Sequence, residues 1–229
     1  MRAGDLRTGG VLDAGRGPAL IAHAAGNTPG SASARLAEGA DFAEVDVWAY
    51  RGRLERRHER RVPFTRILFE RWYARWAASP PPTLADLIAE VGSNGGIFLD
   101  LKNGSGSAAL AGEAVAAAGP GLPVCASSQL WPVLRRLHRA LPTMEMFYSI
   151  DVEAQLALFL SLADHDPTPS GVSCNHEHLE PALIRRFHDS GLAVVAWTVD
   201  DPERACELAR AGVDAITTNR VLAIREALG

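Results

Sequence analysis

Residues 190–218, SGLAVVAWTVDDPERACELARAGVDAITT, decide the fold. They read as strand, helix, strand. An apolar run at 193–199 is followed by Asp201-Pro202, a helical pattern over 202–211, Gly212, and a second apolar run at 215–218. Proline suits the first helical turn, where its missing N–H would have had no partner. Glycine just past a helix supplies the left-handed turn that ends it, and both Gly191 and Gly212 stand at such places. Two β-type runs joined by one helix make a parallel βαβ unit.

Outward from that unit the same rhythm fills the chain. Strand-type runs lie at 19–24, 42–48, 97–102, 123–127, 144–150, 171–175, 193–199 and 215–218. Helical patterns at 31–38, 83–91, 106–118, 130–140, 152–162, 181–190 and 202–211 separate them. Thr83, after Pro80-Pro81-Pro82, is a predicted N-cap with Asp86 as its capping-box acid. Eight strand-type runs in 229 residues predict an α/β chain that closes into a single (β/α)8 TIM barrel, a fold of typically about 250 residues. The rhythm breaks at 58–82, where a partly helical insertion after strand 2 is expected over the barrel mouth; Trp72, Tyr73 and Trp76 either line an apolar groove there or, the favoured reading, pack the insertion. One domain over 1–229 is expected, with 1–17 as a loose N-terminal segment.

Composition narrows the function. Apolar residues at 47% and charged residues at 22% describe a soluble globular protein. A net charge of −4 leaves no basic footprint and argues against nucleic acid as the main partner. No stretch reaches the roughly 18 apolar residues of a membrane span, and the N-terminus lacks a signal-peptide core, so a cytoplasmic location is expected. Cys125, Cys174 and Cys206 have no metal-type spacing and read as buried, reduced thiols.

Six charged or titratable residues stand out, His23, Glu44, Asp46, His58, Asp100 and Lys102, and all but His58 sit within or at the end of a strand-type run. In a parallel barrel these ends form the active site. Glu44 and Asp46 are two apart on one strand, as are Asp100 and Lys102 on the next, so each pair faces one way. Burying an unpaired charge costs several kcal/mol or more, so three neighbouring carboxylates call for a cation. Hard oxygen donors suit Mg2+ or Ca2+ better than zinc. The structural alternative is a salt bridge from Lys102 to Asp100 or Glu44.

Taken in order, these residues resemble the glycerophosphodiester phosphodiesterase family of TIM barrels. The matching pieces are Ile21-Ala22-His23, Asn27-Thr28, Gly39-Ala40-Asp41, Glu44-Val45-Asp46, His58 and Asp100-Leu101-Lys102. Ala196-Trp197-Thr198-Val199 and Gly212-Val213-Asp214-Ala215-Ile216-Thr217-Thr218 continue the likeness to about residue 220. The resemblance implies metal-dependent hydrolysis of a small-molecule phosphodiester to an alcohol and a phosphomonoester, within lipid metabolism. It implies one divalent cation on Glu44, Asp46 and Asp100, and His23 and His58 as general acid and base. Lys102 would meet the phosphate and Trp197 would wall the alcohol. Imidazole, with a pKa of about 6.5, can serve either role at neutral pH.

The chain also departs from the family pattern. Ala24 replaces an arginine, Gly26 a glutamate, and Asp100 a glutamate; Glu59-Arg60-Arg61 follows His58, and Asn219 follows the last threonines. Arg56, Arg57, Arg60 and Arg61 are candidates for the missing phosphate contact, with solvated surface charge as the favoured alternative. Ala24 and Asp100 also leave open a weakened family member that binds a phosphorylated ligand.

Overall fold

The computed structural model describes residues 10, 12, 17–78, 80–104, 106–119, 121–162 and 165–229. The expected loose segment at 1–17 therefore lies, apart from positions 10, 12 and 17, outside the described residues. Leu12 itself is buried.

The chain begins with β1 (Ala19–Ala22), α1 (Ser31–Ala37) and β2 (Phe42–Tyr50). An antiparallel excursion follows: β3 (Arg53–Arg56), β4 (Arg60–Arg61), β5 (Ile67–Glu70) and β6 (Tyr73–Trp76). Regular alternation resumes with α2 (Leu84–Val91), β7 (Gly96–Leu101), α3 (Ser107–Ala118), β8 (Val124–Ser128), α4 (Trp131–Ala140) and β9 (Met146–Ile150). It continues through α5 (Glu153–Leu162), β10 (Gly171–Asn175), α6 (Pro181–Asp189) and β11 (Ala193–Trp197). It closes with α7 (Pro202–Ala211), β12 (Ala215–Thr218) and α8 (Val221–Leu228).

Eight parallel strands form a closed barrel in the order β1, β2, β7, β8, β9, β10, β11, β12, and β12 pairs back onto β1. The predicted (β/α)8 architecture is what the chain adopts. The strand limits at 171–175 and 215–218 and the helix at 202–211 coincide with the sequence reading. The Thr83–Asp86 capping box is formed in both directions, and Gly212 caps α7 at φ 93°.

Strand alternation divides the apolar residues into two sets. Leu20, Ala43, Val45, Ile97 and Leu99 face the helices and join the outer core. Ile21, Phe42, Phe98, Cys125, Phe147, Val195 and Ala215, with Leu12, form a second cluster inside the barrel. These interior residues make an apolar floor; every second residue beyond them points inward at the next level up.

The two Gly-x-Asp motifs are structural devices. Asp41 Oδ2 accepts a bond from Leu20 N at 2.8 Å and an ion pair from Arg225 at 2.8 Å, tying β1 to α8. Asp214 Oδ2 likewise accepts from Val194 N at 2.7 Å and meets His188 Nε2 at 2.9 Å. Each carboxylate thus secures the start of a neighbouring strand.

The insertion differs from expectation. It contains no helix among its described residues; β4, β5 and β6 form a separate three-stranded antiparallel sheet. Tyr73 ties into it, its hydroxyl 3.2 Å from Glu59 Oε1 and from Glu70 Oε2, but Trp72 and Trp76 do not pack it. Trp72, Tyr73 and Trp76 are 83%, 50% and 70% exposed. The arginines nearby correct the sequence reading in the opposite sense. Arg56 and Arg57 are buried, and Arg57 and Arg61 reach Glu55 at 3.1 and 2.6 Å. Arg57 also lies over the Trp48 ring and Arg61 over that of Tyr50. Burial lowers the Arg57 pKa, with Glu55 opposing the shift. Cys125 and Cys174 are buried thiols, as expected, while Cys206 is only partly covered. No described helix is long and apolar enough to cross a membrane.

Candidate active site

His23, Glu44, Asp46, His58, Asp100, Lys102 and Trp197 all line one cavity of about 310 Å³ at the barrel mouth. Register explains the convergence. On β2 and β7, Phe42 and Phe98 sit in the floor, so Glu44, Asp46, Asp100 and Lys102 follow them on the inward side. Parallel pairing then sets Asp46 beside Asp100.

Glu44, Asp46 and Asp100 offer carboxylate oxygens that all lie within 4.8 Å of one another. Oxygens around one calcium ion, bound at roughly 2.3–2.6 Å, are at most about 5 Å apart, so this donor set fits a hard divalent cation. Lys102 Nζ reaches Asp46 Oδ1 at 2.7 Å and Asp100 Oδ2 at 2.5 Å. The salt bridge anticipated as the structural alternative therefore exists with Asp100, and with Asp46 in place of Glu44. One ammonium against three carboxylates still leaves an excess of negative charge.

Electrostatics record that excess. Burial, then the neighbouring Asp46 and Asp100, push the Glu44 pKa well above the usual carboxylate range. Burial also raises Asp100, against the pull of Lys102. Burial disfavours the Lys102 ammonium, but Asp100 and Asp46 outweigh it and raise its pKa.

The loop after β1 supports the carboxylates directly. Ala24 adopts φ 52°, and its N–H donates to Glu44 Oε2 at 2.5 Å. Asn27 Nδ2 donates to Asp46 Oδ2 at 2.6 Å while its Oδ1 accepts from Asp46 N at 2.9 Å. Gly26 lies between them, buried. A Cβ there would stand 2.5 Å from Val45 Cβ and 2.8 Å from Leu87 Cδ2. The short loop packs straight onto β2 and α2, so no side chain fits where the family pattern has glutamate.

The two histidines are held alike. Asn219 Nδ2 donates to Asp200 Oδ2 at 2.8 Å, which turns its amide oxygen towards His23 Nδ1, 2.9 Å away. His23 therefore carries its proton on Nδ1 and leaves Nε2 free. Burial works against the Asp200 charge, but bonds from Asn219 and Thr218 hold its carboxyl below the ordinary value. His58 follows Arg57, whose N–H donates to Asp46 O at 3.0 Å, so the β2–β3 ribbon delivers it beside the acids. Its Nδ1 lies 3.0 Å from Glu70 Oε1 on β5, and the imidazole is half exposed.

Several lining residues escaped the sequence reading. Ser127, Ser149, Ser173 and Thr217 line the cavity, each two residues beyond an inward floor position. That offset was the available signal. Asp151 and Gln129 complete the polar rim. A second cavity of about 740 Å³ shares His58, Asp100, Lys102 and Gln129 with the first and extends to Arg60, Phe69, Arg71 and Leu130. Of the four candidate arginines only Arg60 lines either cavity.

Residues 124–223 match the model of the Glycerophosphoryl diester phosphodiesterase family. That stretch includes β8 to β12 and Trp197 and none of the other six predicted site residues. No curated protein matches the chain. Among solved structures, a phosphodiesterase from Oleispira antarctica in complex with the product sn-glycerol-3-phosphate is 19% identical, with a TM-score of 0.74 over 93% of this chain and 97% of that one. A glycerophosphodiester phosphodiesterase from Parabacteroides distasonis is 20% identical, TM-score 0.75, over 93% and 97%. One from Agrobacterium tumefaciens is 18% identical, TM-score 0.71, over 91% and 99%. At these identities each likeness is one of fold. The family match over β8–β12 and the motifs on β1, β2 and β7, which resemble the same family, meet in one barrel.

Proposed function

We propose that the chain hydrolyses a glycerophosphodiester, or a related small phosphodiester, to an alcohol and a phosphomonoester. The observation that carries this reading is the single cavity in which two imidazoles and an ammonium meet the clustered carboxylates of Glu44, Asp46 and Asp100. The family match over residues 124–223 and the product-bound fold relative from Oleispira antarctica support the same reaction class.

Glu44, Asp46 and Asp100 would hold one Mg2+ or Ca2+. When bound, that cation supplies positive charge against the non-bridging oxygens of the phosphate. Lys102 adds a second cation and, through its pairs with Asp46 and Asp100, holds both carboxylates in place. His23 and His58 each present a free Nε2 once Nδ1 is engaged by Asn219 and Glu70. One takes a proton from the attacking water as its oxygen bonds to phosphorus. The other gives a proton to the departing alcohol as its P–O bond breaks. Trp197, half-buried at the end of β11, forms the wall against the alcohol. The cytoplasmic location is a reading of the sequence alone.

The test is phosphomonoester release from a panel of glycerophosphodiesters and lysophospholipids in Mg2+, Ca2+ or EDTA. Turnover should need metal and should vanish in His23→Ala. A folded protein that releases nothing from any substrate, or an unimpaired His23→Ala, would overturn the proposal.

A further inference from the structure

The β4–β6 sheet has one anchored face and one open face. Pairing places Arg61 opposite Leu68, which faces Arg75, while Glu70 faces Tyr73. This side is held down: Leu68 is buried, Arg61 meets Glu55 at 2.6 Å, and Arg75 meets Glu59 at 2.5 Å. The alternate residues Arg60, Ile67, Phe69, Ala74 and Trp76 form the other side. Trp76 is 70% exposed there, Trp72 at the turn between β5 and β6 is 83% exposed, and Phe64 before β5 is 89% exposed.

Exposed tryptophans are costly in water, and a cluster of them marks a surface that meets something apolar. The charges say what kind. Residues 60–76 carry five arginines against one glutamate, in a chain whose net charge is −4. Arg61 and Arg75 are spent on Glu55 and Glu59, but Arg60, Arg66 and Arg71 are exposed with no acidic partner among the described residues. Arg66 donates to Ala77 O at 2.9 Å and Arg71 lies over the Trp72 ring, so neither charge is neutralised by a carboxylate. Indole rings interleaved with such exposed guanidinium groups match the boundary of an anionic lipid layer, where the rings enter the headgroup zone and the cations meet phosphates. The face also joins the catalytic region, since Arg60, Phe69 and Arg71 line the 740 Å³ cavity that shares His58, Asp100 and Lys102 with the active site.

We propose that the β5–β6 hairpin docks the enzyme on an anionic phospholipid surface, with Trp72 and Trp76 as the inserting residues. Docking of this kind is peripheral: the residues lie on the interface and do not span it. It would set the barrel mouth against the headgroup layer from which phosphodiesters are released. Only this last link rests on the phosphodiesterase reading.

The experiment is co-sedimentation of the full chain with vesicles of phosphatidylcholine, with and without phosphatidylglycerol, comparing wild type with a Trp72→Ala/Trp76→Ala double variant. Neither tryptophan lines a described cavity, and matching thermal melts of the two proteins verify the fold without any activity assay. Wild type should partition onto phosphatidylglycerol vesicles, weaken as salt is raised, and lose roughly tenfold or more in the variant. Absence of wild-type binding, or equal binding by the variant, would overturn the proposal. So would a wild-type dimer in light scattering that the double substitution dissolves without any vesicle binding, since a second copy would then cover this face.

Discussion

Strands β1, β2 and β7 reach the barrel mouth with His23, Glu44, Asp46, Asp100 and Lys102, whereas β8, β9, β10 and β12 reach the same cavity with Ser127, Ser149, Ser173 and Thr217. Both halves are built from the same βα unit over the same apolar floor. They differ in what stands one step above it. The charged half is also the half with the irregular connections, a tight loop after β1 and a four-stranded excursion after β2. The hydroxyl-bearing half, with Asp151 as its one carboxylate in the cavity, is regular, and it is the half that matches the family model. Regular βα units preserve a recognisable frame. The proposed chemistry falls where loops bring Asn27 onto Asp46 and Glu70 onto His58.

That comparison predicts graded effects. The largest should come from the carboxylates. Asp46→Asn should lower kcat/KM by about a thousandfold or more, because several kcal/mol of charge stabilisation rest on the cation. Steady-state kinetics at saturating metal would measure it. Next come the histidines: His23→Ala and His58→Ala should each cost about 10²–10⁴ in kcat, the usual contribution of a positioned acid or base. His23 should show the larger loss, since His58 is half exposed and water can partly stand in for it.

Glu70→Gln should cost about tenfold in kcat, a loss in the range of outer partners that orient a functional imidazole. A shift in the pH profile with little change in KM would mark Glu70 as a positioning residue. The smallest effect belongs to the regular half: Ser149→Ala or Ser173→Ala should change kcat by less than about threefold, the worth of one neutral hydrogen bond or less. A serine variant as damaging as His23→Ala would erase the distinction between the halves.

The frame was legible because parallel strands buried on both faces read as short apolar runs, and because Pro202, Gly191 and Gly212 punctuate them. The charged residues were legible because Glu44, Asp46 and Asp100 violate those runs. Ser127, Ser149 and Ser173 violate nothing: a serine in a strand is unremarkable until its inward position is known. The β5–β6 hairpin was missed because its turn, Arg71-Trp72, lacks the glycine or asparagine that announces a hairpin. The fates of Arg57 and Arg61 were unreadable, because their partner Glu55 lies buried in a ribbon that only the folded chain assembles. Helix α8 carries no side-chain cap and follows the last strand after only two residues, so its start had no signal.

The most direct test of the proposed metal centre is thermal unfolding at pH 7.5 with EDTA, Mg2+ or Ca2+, for wild type and Glu44→Gln. An ion that binds only the folded protein at about a hundred times its Kd adds roughly 2.7 kcal/mol, or about 5–10 °C in Tm for a domain of this size. Without metal, the raised Glu44 pKa means that its contribution to stability is present at low pH and is lost as pH rises through the folded value. The account therefore predicts a large metal-induced rise in wild type. In Glu44→Gln it predicts little or no rise, together with an EDTA melting temperature at or above that of wild type. An equal rise in both proteins would contradict it.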